Sequence, residues 1–177
     1  INALTSTQVQ ALSSAQVQAL TSTQLNSVEP GQITNLSSVQ VRVLTSTQLN
    51  GLSEAGLGSL STLSVRALTT GQLGALSSDQ LNLLNSNQVQ ALSSTQVRAL
   101  TTGQVKAMTA VQIGNLSSAQ VQSLTTGQLN ALEQDAVQAM GTADVQALTT
   151  TQISSLGTAD VNELSTDQLA ALTTNQV

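Results

Sequence analysis

The chain contains no Cys, no His and no Phe, Tyr or Trp. Without cysteine there is no disulfide framework. Without His, Cys and Tyr, haem and most transition metals lose their usual ligands. Nucleophilic catalysis by Ser or Thr needs a positioned base, and Lys106 is the only lysine that could supply one. An enzyme is therefore the least expected class. Without aromatic rings, any core must rest on Leu, Val, Ile and Ala alone.

Charge is scarce too. Only 7% of residues are charged, the net charge is −5, and the four cations are Arg42, Arg66, Arg98 and Lys106. Nucleic-acid binding calls for a basic stripe and, on single strands, aromatic platforms. Neither is present, so no nucleic-acid partner is expected. No apolar run approaches the ~20 residues of a membrane span, and no signal peptide is visible. Disorder is a poor description as well, because 40% of residues are hydrophobic and strictly ordered along the chain.

What is present is a period of eight residues, unbroken over all 177. The unit Leu92-Ser93-Ser94-Thr95-Gln96-Val97-Arg98-Ala99 shows it, and the eight positions are lettered a to h from Leu92. Position a occurs 22 times, from Leu4 to Leu172, and is Leu except at Val28, Met108 and Met140. Position f, from Val9 to Val177, is always Val, Leu or Ile. Ser or Thr fills b, and Gln fills e, in 17 of 22 octads each, which makes both positions structural requirements. Position h is most often Ala. The chain opens on Ile1 and closes on Val177, both inside a unit, and reads as one continuous array over 1–177, a piece of a longer one.

One long helix cannot carry this pattern, since eight residues at 100° each leave an 80° drift per repeat. A β-solenoid is the alternative, but h followed directly by a breaks the alternation in every unit. Short helices explain more. Ser/Thr at b with Gln three residues later is the capping box, and the apolar pair a and f then forms the hydrophobic staple. The expected fold is all-α: a solenoid or superhelix of very short helices, one per octad, each spanning roughly c to h. Positions a, f and h are expected to face inward, with c, d and g outward.

Three features support that register. Pro30, the only proline, falls at c, the first helical position, where proline is favoured. Eight of the nine acids fall at b to e, and all four cations fall at g, the sorting that the helix dipole favours. Gly141 and Gly157 replace the b hydroxyl, and in both octads e becomes a carboxylate, Asp144 and Asp160. Helices this short do not stand alone in water, so stability must come from stacking on neighbours. Val28-Glu29-Pro30-Gly31 is one irregular cap. The stretch 52–65 loses Gln at Gly56 and Ser64, gains Gly58 and carries Leu63 outward, which marks it as a candidate irregularity.

Candidate chemical residues are few. Lys106 at g reads as a solvated charge. Asp144 and Asp160, Glu133 and Asp135, and Glu163 and Asp167 read as caps or solvated carboxylates, since calcium needs six to eight oxygens in a dedicated loop. Met108 and Met140 occupy the leucine position and read as core. Gly71, Gly103 and Gly127 stand alone at d and form no phosphate loop. No catalytic, cofactor-binding or metal site is expected. The outward Ser/Thr rows could serve as a soluble face, or contact ice, glycan or another copy.

The copies Leu100-Thr101-Thr102-Gly103-Gln104-Val105, Leu124-Thr125-Thr126-Gly127-Gln128-Leu129 and Leu148-Thr149-Thr150-Thr151-Gln152-Ile153 resemble the LTTxQV octapeptide arrays of very long bacterial surface or secreted proteins, adhesin-like in type. That resemblance implies an extracellular, non-enzymatic role: a stalk, spacer or filament-forming segment that self-associates. A binding module using the Ser/Thr face is the alternative.

Overall fold

The computed structural model describes residues 5–27 and 30–177, with the side chains of 30, 31 and 158–160 left aside. Among the described residues there are twenty-one helices of four to six residues, from Ser6–Gln10 to Thr166–Ala170, and no strand. The helical solenoid is therefore the fold, not the β-solenoid.

Each helix starts as its residues dictate. In Ser94–Arg98 the N-cap Ser93 is extended (φ −72°, ψ 156°), and its hydroxyl accepts from the Gln96 amide at 3.2 Å. Gln96 Oε1 accepts from the Ser93 amide at 2.8 Å, which completes the capping box. The same reciprocal pair recurs at Thr45 with Gln48, Thr69 with Gln72 and Thr149 with Gln152. The helices stop equally early. Among the described residues, the amide of each a residue donates to the carbonyl of the preceding f, as Leu100 does to Val97 at 3.1 Å. Residue a is then extended, as at Leu92 (φ −60°, ψ 135°), and leads straight into the next N-cap. No described residue has positive φ, so the array turns without the left-handed glycine that ends many helices. A helix begins at Pro30 as expected, while Val28 and Glu29 lie outside the described residues.

Contacts divide the chain into two units, Ile1–Leu92 and Ser93–Val177. Within each, a helix packs on the third one along. Ser38–Arg42 touches Ser14–Ala19 and Thr62–Ala67 in the first unit, and Ser118–Ser123 touches Ser94–Arg98 and Thr142–Ala147 in the second. Hydrogen bonds to helices 28 to 31 residues earlier add the next neighbour, so one turn takes between three and four octads.

The core has a composition the repeat pattern only half predicts. Positions a and f are inside, with Leu73, Val105 and Ile113 fully buried. Position d is outside: Val39, Leu63 and Val111 are about two-thirds exposed (65, 70 and 67%). The third inward position is e, not h. Gln88, Gln96, Gln128 and Gln168 are buried, whereas Ala67, Ala99 and Ala147 are only half-covered. The reason is geometric. Position e is the third residue of each helix and points at the helix one turn back, while h sits at the fraying C-terminal end. Through 52–65 the helices Glu54–Gly58 and Thr62–Ala67 keep the usual length, and their N-caps Ser53 and Ser61 keep the usual extended dihedrals.

Candidate functional site

The buried glutamine is the residue around which each turn closes. Gln72 Oε1 accepts from the Thr69 amide at 2.8 Å. Its Nε2 donates to the carbonyls of Val41 at 2.9 Å, Arg42 at 3.2 Å and Leu44 at 2.8 Å. Those are the f, g and a carbonyls at the end of the helix Ser38–Arg42, where the regular i to i−4 ladder has run out and only the short bond of Leu44 to Val41 remains. One amide thus starts its own helix and finishes another. Gln48 repeats the arrangement on Val17, Gln18 and Leu20, and Gln128 on Val97, Arg98 and Leu100. A Glu at e could complete the capping box but has no proton to donate. This accounts for Gln, and never Glu, at position e. The capping role is legible in the sequence, and the second role is not.

Position g makes a second tie. Asn26 Nδ2 donates to the Gly51 carbonyl at 2.6 Å, and its Oδ1 accepts from the Ser53 amide at 2.7 Å. Asn50 does the same to Ala75 and Ser77, at 2.8 and 2.7 Å. The side chain at g therefore faces position b of the octad 27 residues on. Lys106 obeys the same spacing, with Nζ 3.2 Å from Glu133 Oε1. Both side chains are more than half exposed, so the pair contributes little to stability.

The carboxylates do not assemble. Glu133 makes no cap bond, and Asp135 Oδ1 accepts from the adjacent Ala136 amide at 2.8 Å. Asp144 is buried: Oδ2 accepts from the Gly141 amide at 2.9 Å and Oδ1 from the Ser118 hydroxyl at 2.7 Å. It thus takes the glutamine's capping bond but not its donor role. Asp160 has its side chain outside the described set, Glu163 is half-covered and Asp167 is exposed in the first turn of its helix. Among the described residues no three acids could share a metal ion. Met108 and Met140 are buried in the leucine row, and Gly71, Gly103 and Gly127 are exposed at d.

One cleft in the second unit has the dimensions of a ligand site. It measures about 310 Å³ and is lined by Arg98, Gln122, Thr125, Thr126, Thr149 and Thr151, among others. No sequence signal marks it, because its residues come from separate octads that only the winding of the chain brings together.

The ALTTAQ repeat family matches residues 54–86, 63–94, 81–110, 101–134 and 137–174, together more than half of the chain. The chain belongs to the ALTTAQ repeat family. Comparison with curated proteins gives no match. In this ALTTAQ array the six letters fall on positions h to e, as in Ala147-Leu148-Thr149-Thr150-Thr151-Gln152. They name the half-covered helix end, the buried staple, the N-cap, two outward positions and the glutamine that closes the turn. Among the described residues of this ALTTAQ array, no helix is long and apolar enough to cross a membrane.

Proposed function

We propose that this ALTTAQ array is a spacer, stalk or filament-forming segment of a bacterial extracellular protein, inert chemically and associating with copies of itself. A structural segment built of repeats is what the family and the fold support. The finer reading rests on one observation: in most of the described octads the recurring residues are consumed in building the helix and tying it to a neighbouring turn. Leu and Val fill the core, Ser or Thr caps, and Gln joins helix start to helix end. The composition offers no His or Cys as base or nucleophile, and its only lysine, Lys106, is exposed and paired with Glu133. The bacterial surface assignment follows the LTTxQV resemblance, and the octad register runs unbroken through both units.

The test is negative-stain microscopy with sedimentation of the purified 177-residue chain over a range of concentrations. Concentration-dependent fibres or oligomers without added ligand are expected. A chain that stays monomeric at all concentrations and shows thermal hysteresis overturns the structural reading in favour of an ice-binding module.

A further inference from the structure

We propose that the Arg98 cleft binds a carboxylated polysaccharide, with the Arg98 guanidinium on a uronate carboxylate and the neighbouring threonines on sugar hydroxyls. This is independent of the spacer reading, because a stalk can carry such a site or lack it.

The argument begins with register. Arg98 and Lys106 occupy the same position g in consecutive octads. By the spacing seen at Asn26, Asn50 and Lys106, each is matched with position b of the octad 27 residues on. For Lys106 that residue is Glu133, whose carboxylate lies 3.2 Å from Nζ. For Arg98 the equivalent residue is Thr125, which lines the same cleft and carries no charge. Among the described residues no carboxylate pairs with Arg98 as Glu133 pairs with Lys106. The chain thus shows, one octad away, that an anion fits beside a cation at this spacing. An external carboxylate completes at Arg98 what Glu133 completes at Lys106. A planar guanidinium engages a carboxylate through two parallel hydrogen bonds, which favours this anion.

The surroundings point to sugar rather than to a bare ion. The helices Thr102–Ala107, Thr126–Leu129 and Thr150–Ser155 pack in succession, one turn apart. A Cβ built on Gly127 would lie 3.8 Å from the Thr102 Cγ2 methyl, so the outward c and d positions of successive turns meet. These helices belong to three of the copies with Leu-Thr-Thr, and their octads contain no acid. Glu133, Asp135, Asp144, Asp160, Glu163 and Asp167 all sit in the other octads of this unit. The result is one acid-free column of threonine pairs, with the cleft on it, while the stacks of octads on either side each include acids. Thr126 and Thr151 stand outside the N-cap positions, and Gln122 adds an amide. A cleft of about 310 Å³ is at the small end of ligand sites and admits one or two sugar rings. With no aromatic ring for stacking, affinity per sugar is low, and a polymer running along the column gains by repeated contact.

The experiment is titration of the 177-residue chain with oligogalacturonate, with the fully methyl-esterified oligomer and with inorganic phosphate, followed by calorimetry. Oligogalacturonate is expected to bind about tenfold more tightly than the ester. Arg98→Gln is expected to bring both to the ester's level, while Lys106→Gln leaves binding unchanged. Thr125→Glu supplies an internal carboxylate and is expected to block binding as well; Glu133 shows that position b accepts this residue. Unchanged thermal midpoints for the variants keep a binding loss distinct from unfolding. Absence of binding, equal binding of acid and ester, full binding by Arg98→Gln, or displacement by phosphate at the same concentration as uronate would each overturn the proposal.

Discussion

Two octads of the first unit differ in a single respect that matters. The octad beginning at Leu68 has Gln72 at e, and the octad beginning at Leu52 has Gly56. Around Gln72, one side chain serves four backbone groups: the Thr69 amide and the carbonyls of Val41, Arg42 and Leu44. Around Gly56 that side chain is missing, yet the helix Glu54–Gly58 starts at the same place and Leu57 is as fully buried as Leu73. Asn26, reaching from an earlier turn, takes the Ser53 amide that a glutamine would have held. The Ile33 Cδ1 methyl closes to 3.3 Å of where a Cβ would stand on Gly56. The octad beginning at Leu76 has both devices. There Asn50 takes the Ser77 amide, and Gln80 keeps its donor bonds to Asn50 and Leu52 while its Oε1 is buried without a partner. The tie across the turn can thus be made from either of two positions.

The largest effect separates the shared core from either tie. Val97→Asp buries an unpaired carboxylate at f and is expected to cost about 4 kcal/mol or more, read by urea unfolding. Gln72→Glu tests the donor role alone. It preserves the capping acceptor but aims a carboxylate at three carbonyls, for a loss of about 3 kcal/mol at neutral pH. Burial among carbonyls raises the folded-state pKa of that introduced group. Its protonated form can donate, so the favourable interaction is fully present below about pH 4.3, the unfolded value, and is lost as pH rises through the folded value. A deficit that grows toward acid would contradict the geometry.

Gly114→Ala places a Cβ 2.8 Å from the Ala139 carbonyl oxygen one turn on, and should cost about 2 kcal/mol by thermal melt. Asn26→Ala should cost about 1 kcal/mol, because Gly51 and Ser53 lose their partner where no glutamine substitutes. A loss indistinguishable from that of Arg42→Ala, the same position relative to Gln72, would show that the asparagine tie is not the replacement. Gly58→Ala is the smallest. A Cβ there meets nothing within 4 Å, and about 0.5 kcal/mol of stabilisation is expected.

Much of this architecture is readable from residue order. The start of each helix, the staple of a on f and the outward d position all follow from interactions within five residues, and one octad contains them. Leu63 is assigned outward by its place at d alone, and it is 70% exposed. The exchange of h for e in the core is not readable, because alanine looks apolar and glutamine looks polar until the amide's partners are known. Those partners lie 28 to 31 residues away. The cleft beside Arg98 is hidden for the same reason.

Residue order sets where most of the helices begin, because the capping box and its apolar flanks are local and lie inside one octad. Three outcomes belong instead to the folded arrangement: between three and four octads close a turn, Gln is a core residue, and Arg98 faces a threonine where Lys106 faces a glutamate. They depend on how far a short helix turns the chain before the next begins, and that angle brings together groups that no local pattern relates.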